Sequence, residues 1–453
     1  MTRPSSAELI AWDRQYLWHP FTQMRDWLAE EPVIIERGEG NYLIDTDGNR
    51  YLDGVSSLWC NVHGHRKREL DEALAAQTAR IAHSTMLGLS NVPATVLAKR
   101  LVELAPPGLT RVFYSDAGAT AVEIALKIAL QYWQLRGESQ RTRFLALTEA
   151  YHGDTLGAVG VGYSETFHRF YRPLLFDVLR LTPPHLFRWR DGMTEEAACA
   201  AAIDEARTKL RAHGHELAAL IVEPLVQGAA GMWMHPPEYL AELAKLAREA
   251  GTLLICDEVA TGFGRTGTFF ACEQAGVSPD LLCVGKGITG GYLPLAATFA
   301  SEALFEAFLA PYEDFVAFFH GHTYTGNPLA CAAGLASLDV FDQEQTMTHV
   351  QGLARVLGEK LERGIAPLAH VGDVRRRGLM TGIELVQDRA TRAAYPSAAR
   401  IGHRVCDAVR KHGVILRPLG PVIVLMPPLS LRMDELELLV SATAKAILEV
   451  TEA

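Results

Sequence analysis

The chain has 453 residues, 49% hydrophobic and 21% charged, which suits a globular enzyme of two or three structural units around a large core. A formal net charge of −10 leaves no basic face for nucleic acid, and the one dense basic cluster, Arg375 to Arg377, reads as a solvated turn. No run approaches the roughly 18 unbroken apolar residues of a membrane span. The first residues lack a secretory pattern, and seven scattered cysteines without a C-x-x-C pair read as reduced thiols of a cytoplasmic protein.

In chain order, Trp12, Tyr16, Trp18 and Trp27 make the start aromatic-rich, which reads as packing against a partner subunit. Residues 33–53 look like a meander with Asp-Gly-Asn as a hairpin turn. From about residue 70 to 330, short apolar runs alternate with helical stretches. The runs are 111–114, 143–147, 218–223, 252–258 and 280–286. One helical stretch, "PPEYLAELAKLAREAG", carries an apolar stripe of Leu240, Leu243, Leu246 and Ala247, with Gly251 where a cap belongs. Such alternation means a mostly parallel sheet covered by helices on both faces. Residues 335–453 return to mixed α and β, with helices expected near 345–363, 397–412 and 433–450. The expected organisation is 1–69 as the N-terminal part of a small domain and dimer arm, 70–334 as a large domain, and 335–453 completing the small one.

Ligands of parallel α/β sheets bind beyond the carboxyl ends of the strands. The first feature there is "YSDAGATAVEIAL", a strand, a turn through Gly118, and a helix whose first amides (Gly118, Ala119, Thr120) suit a phosphate. A plain N-cap by Ser115 or Asp116 reads equally well. Next is "EAYHGDT" (149–155), where Tyr151 and His152 offer aromatic faces and Asp154 a carboxylate. Glu223 ends the run "LIVE", as a structural group or a site residue. In "LLICDEVATGFGRTG", Asp257 and Glu258 point to opposite faces, so one is expected to be more buried than the other and to need a cationic partner.

Lys286 stands alone in "DLLCVGKGITGGYLPLA". A phosphate-loop lysine needs a glycine six residues earlier and Ser or Thr next, but Asp280 and Gly287 stand there. What remains is a solvated strand-end lysine or one made covalent by a cofactor. An anion-binding helix start, a buried aspartate and a strand-end lysine on one sheet are the three points that hold pyridoxal 5′-phosphate.

The run from "LLICDEVATGFGRTG" to "PDLLCVGKGITGG" resembles the signature of the class III pyridoxal-phosphate aminotransferases, and the likeness covers nearly the whole chain. It implies an α/β fold, the type I fold of pyridoxal-phosphate-dependent transferases, with a large domain of mostly parallel sheet and a small α+β domain. "LWHPFTQM" (17–24), "WCNVHGH" (59–65), "YHGDTLGA" (151–158), "HGHTYTGNPLACAA" (320–333) and "RPLGPVIVLMPPL" (417–429) resemble its biotin-pathway branch.

By that resemblance Lys286 is the Schiff-base and proton-shuttling residue and Asp257 binds the pyridine nitrogen. Gly118 and Ala119 hold the phosphate, Tyr151 stacks on the ring, and Glu223 belongs to the cofactor site. His322 and Thr323 close the phosphate site from the partner of a homodimer. Arg417 pairs with the carboxylate of the acceptor, 8-amino-7-oxononanoate. Gly321, Trp59, Leu58 and Phe21 line the substrate cleft. Phe21, Leu58 and Val424 depart from the usual tyrosine, tryptophan and tyrosine of the branch, which bears on whether S-adenosylmethionine or lysine is the amino donor. A general ω-amino-acid aminotransferase or aminomutase is the alternative. A non-enzymatic cofactor-sensing regulator would need a basic DNA-binding module, which residues 1–60 do not supply. No metal is expected at the pairs His63/His65 and His320/His322, where matching carboxylate ligands are not evident.

Overall fold

The computed structural model describes residues 4–189 and 192–452. Among them, seven strands form the central sheet: β1 (Leu109–Ser115), β2 (Arg143–Leu147), β3 (Val178–Leu181), β4 (Leu217–Val222), β5 (Leu253–Asp257), β6 (Leu281–Val284) and β7 (Ala296–Ser301). Their order is β1-β7-β6-β5-β4-β2-β3. β7 runs antiparallel to both neighbours, and the contiguous strands from β6 to β3 are parallel. β4, β5 and β6 are buried along their whole length, which is why they read as continuous apolar runs. Sequence patterning misses β3, a partly exposed edge strand interrupted by Arg180, and β7, whose "AATFAS" is short of β-branched residues.

Helix α1 (Gly118–Leu135) follows β1 and buries Ala121, Val122, Ile124, Ala125 and Ile128 against the sheet. Helix α2 (Pro237–Glu249) buries the expected stripe of Leu240, Leu243, Leu246 and Ala247, and Gly251 stands just beyond it with φ of +63°. The meander forms as strands Ile35–Glu39, Tyr42–Asp45 and Arg50–Asp53, and the third pairs in parallel with Val414–Ile415. The two ends of the chain therefore share one sheet. A second four-stranded sheet and helices Thr346–Gly364, Ile401–Lys411 and Met433–Thr451 complete the C-terminal part. Helix Pro328–Gln343 runs through the boundary expected at 334/335. No described helix is long and apolar enough to cross a membrane.

The basic triplet is not a solvated turn. Arg375 to Arg377 lie on strand Val371–Arg377, and Arg375 is buried with its guanidinium 2.9 Å from Glu384 and 2.7 Å from Asp373. Its Nε also donates to the carbonyls of Gly231 and Met232, so the side chain ties the C-terminal sheet to the loop after β4.

Candidate active site

The carboxyl edge of the sheet collects the expected residues. Asp257 ends β5 opposite Cys283 of β6, and Lys286 follows three residues after that partner. Cys256 is registered with Val222 of β4, which places Glu223 beside Asp257 at the same edge. Asp257 is 4% exposed; its Oδ2 lies 2.7 Å from His152 Nδ1, and its Oδ1 accepts from the Val259 amide at 3.0 Å.

The expectation that one of Asp257 and Glu258 would be the more buried does not hold, because the layers on both faces of the sheet cover them. Glu258 is fully buried, and no cation among the described residues pairs with it. It accepts from the Thr261 hydroxyl and from the amides of Ala271 at 3.0 Å and Cys272 at 2.8 Å, while burial pushes its pKa up to about 7. Glu223 is also pushed up to about 7, chiefly by burial, with Asp257 adding to the shift and His152 opposing it. For a carboxyl whose folded pKa exceeds its unfolded one, the folded state holds the extra proton between the two values. Stability is therefore lost as pH rises from about 4.5 to about 7, by at most about 3 kcal/mol per group. The urea midpoint is expected to be higher at pH 5 than at pH 8, and Glu258→Gln should narrow that gap. An unchanged gap would show that Glu258 does not titrate as a buried acid.

The start of α1 does not carry the plain N-cap by Ser115 or Asp116. The N-cap is Ala117, and the Thr120 hydroxyl serves its backbone, donating to the Ala117 carbonyl at 2.7 Å and accepting from its amide at 3.1 Å. Neither Ser115 nor Asp116 caps the helix. The Ser115 hydroxyl is buried without a partner among the described residues, and Asp116 bonds His322 Nδ1 at 2.9 Å. The amides of Gly118 and Ala119 are left without a partner among the described residues. The lysine-bearing turn passes directly against them: a Cβ on Gly285 would come 3.4 Å from the Gly118 Cα, and one on Gly118 would overlap Val259 at 2.4 Å.

Lys286 has φ of +42°, and its Nζ lies 4.9 Å from the centroid of the Trp59 ring. Burial holds its pKa below that of an ordinary lysine, against the opposing charges of Asp257 and Glu223. Glu223 accepts from the Tyr151 amide at 3.0 Å and the Gly228 amide at 2.9 Å, so it fixes the Tyr151 loop to the strand end. The Tyr151 hydroxyl donates to Asp154 at 2.6 Å, and its ring lies parallel to His168 and edge-on to Phe21 at 6.4 Å. Arg417 is partly buried within electrostatic reach of Tyr151.

Lys286, Asp257, Glu223, Tyr151, Phe21, Trp59, Arg417, Gly118 and Ala119 thus converge on one cleft. Leu58 is 47% exposed beside Trp59. Gly321 and Thr323 are not brought into the protomer's own cleft; both are exposed, while His322 reaches Asp116 at the helix start. Val424 does not line the cleft: it is 1% exposed, on the strand pair opposite Arg417. The four histidines are committed elsewhere, His63 to Ser337, His65 to Asp53 and Asn61, His320 to Lys127 and His322 to Asp116. His152 as the partner of Asp257, and Asp154 as that of Tyr151, were missed as site residues, although both stand in "YHGDT" beside an assigned one.

The free amides, the unpartnered Ser115 hydroxyl, the buried Asp257 and the neighbouring amine are the donors and charges that pyridoxal phosphate requires. The fold is the type I fold of pyridoxal-phosphate-dependent transferases, and residues 25–447 match the family Aminotransferase class-III. The chain belongs to the class III aminotransferases. It is 56% identical, over 99% of its length and 83% of the relative's, to the adenosylmethionine-8-amino-7-oxononanoate aminotransferase of Nitratidesulfovibrio vulgaris. The crystal structure of the like-named enzyme from Methanocaldococcus jannaschii superposes with a TM-score of 0.93 at 45% identity, covering 98% of this chain and 100% of that one. An amine transaminase from an uncultivated Pseudomonas species, in its PLP-bound form, gives 0.90 at 38% identity, covering 96% and 99%.

Proposed function

We propose that this enzyme aminates 8-amino-7-oxononanoate to 7,8-diaminononanoate in biotin biosynthesis, using pyridoxal 5′-phosphate and, as amino donor, S-adenosylmethionine. The observation that carries the chemistry is the placing of Lys286 and Asp257 at adjacent strand ends above the free amides of α1. The cofactor supplies an electron sink for the pair released when a proton leaves the carbon bearing the amino group. Asp257, oriented by His152, would hold a proton on the ring nitrogen of the bound cofactor. Gly118 and Ala119 would donate to its phosphate, and Tyr151 would cover its ring. Lys286 is the covalent anchor and carries the proton at Nζ, which its lowered pKa suits for general base work. Arg417, beside Tyr151, binds the acceptor carboxylate as a planar fork.

The donor has a second reading. Phe21 and Leu58 present no hydroxyl or indole to the cleft, and a site with fewer polar groups discriminates less between donors. Lysine as donor, or a broader ω-amino-acid aminotransferase, follows from that. Mixing the yellow enzyme with each donor separately decides the point. S-adenosylmethionine is expected to bleach the visible band; bleaching by lysine alone would replace the donor, and bleaching by neither would sink the biotin-pathway reading.

We further propose a cytoplasmic homodimer with shared sites. Phe319 and Tyr324 are 72% and 60% exposed on the segment that carries the exposed Thr323, and large exposed apolar side chains of this kind mark interaction surfaces. Lys286→Ala and Thr323→Ala, each inactive alone, are expected to regain activity when mixed dimers form, because one site then has both residues. No activity in the mixed dimers would count against a shared site.

A further inference from the structure

Four consecutive residues, Ser56, Ser57, Leu58 and Trp59, have φ of 51°, 48°, 71° and 71°. The Trp59 amide donates to the Val55 carbonyl at 2.8 Å and the Cys60 amide to the Ser56 carbonyl at 3.0 Å, so the segment is one turn of left-handed helix. L residues adopt that conformation rarely and singly, and none of the four is glycine. Such a turn persists only where its surroundings over-determine it.

Here they do. The Asp53 side chain is wholly buried and takes two bonds from one residue of the turn, the Ser57 amide at 2.9 Å and the Ser57 hydroxyl at 2.7 Å. The same carboxylate meets His65 Nε2 at 3.0 Å, and His65 Nδ1 meets Asn61 at 3.0 Å. The Ser56 hydroxyl donates to the Met426 carbonyl at 2.6 Å. Arg265, 1% exposed, clamps the far side through the carbonyls of Asn61 at 2.7 Å and Pro427 at 2.6 Å.

This lock presents the face of Trp59 to Lys286. The ring is 8% exposed and backed by Gly228, where a Cβ would come within 3.2 Å of it. Lys286 Nζ makes no hydrogen bond and no ion pair within 4.0 Å among the described residues, and the ring centroid lies 4.9 Å away. A cation within about 6 Å of an indole face is attracted to it. Asp257, Glu223, Cys60 and Arg265 act on the same amine through longer-range charge.

We infer that the Trp59 face holds the Lys286 ammonium whenever that amine is not covalently engaged, and that Asp53 is the positioning residue that sets the ring there. The inference rests on the role proposed for Lys286. A long, flexible side chain released with no partner would scatter over its rotamers; over the ring it stays aimed into the cleft, where the next proton transfer needs it.

The test uses apoenzyme labelled with 5-fluorotryptophan, so it is read independently of cofactor and turnover. The Trp59 fluorine resonance is assigned by its loss in Trp59→Phe. It is expected to shift with pH in the wild type and to stop doing so in Lys286→Met. Asp53→Ala should displace the resonance and erase its titration with unchanged far-UV dichroism, and should lower kcat of the holoenzyme about tenfold or more with little change in KM. Asp53→Asn should restore part of both, since its amide oxygen still accepts from the Ser57 hydroxyl and from His65 Nε2–H while the bond from the Ser57 amide is lost. If Asp53→Ala does not fold, Ser57→Ala removes one bond of the same lock and takes its place. A Trp59 resonance that titrates identically in Lys286→Met, or that is unmoved in a folded Asp53→Ala or Ser57→Ala, overturns the inference.

Discussion

Lys286→Ala is expected to bind pyridoxal phosphate and yet not turn over. The amides at the start of α1, the Asp257–His152 pair and the Tyr151 loop are untouched by the substitution, so the non-covalent part of the proposed site survives. What disappears is the proposed covalent anchor and proton carrier, and the rate should fall by about 10³-fold or more. Borohydride should fix the cofactor to the wild-type chain and leave it removable from the variant. Retained turnover, or fixation in the variant, would assign the anchor to another residue.

Asp257→Asn is the second large effect. The amide is nearly isosteric, and its oxygen can still accept from the Val259 amide or from His152, so the fold should stand. The lost element is the carboxylate proposed to keep the ring nitrogen protonated. Removing one such preorganised electrostatic contact costs about 10²-fold or more in kcat. Unchanged thermal unfolding together with that loss separates chemistry from folding. Near-normal turnover would show that Asp257 does not face the cofactor nitrogen.

The sequence made the sheet legible wherever strands are buried on both faces, as with "LLICD" and "DLLCV", because continuous apolar runs between helical stretches have one common structural meaning. It did not reveal β7, whose small residues carry no pattern, or the burial of Arg375, whose carboxylate partners and carbonyl acceptors appear only when distant loops meet. Lys286, Asp257 and the start of α1 were readable because each ends or follows a recognisable strand. The lock on Trp59 was not. Asp53 and His65 are twelve residues apart across a turn, and Arg265 arrives from more than two hundred residues away to hold Asn61. Local reading also erred where both faces of a strand are covered, since alternation along β5 could not show that Glu258 would be as buried as Asp257.

The most direct measurement of the central claim is product formation. Purified holoenzyme is incubated with 8-amino-7-oxononanoate and S-adenosylmethionine, and the products are followed by mass spectrometry. The proposed function predicts 7,8-diaminononanoate, formed in step with consumption of the donor and absent with Lys286→Ala. Failure to aminate 8-amino-7-oxononanoate with S-adenosylmethionine or with lysine, by an enzyme that holds its cofactor, would contradict it.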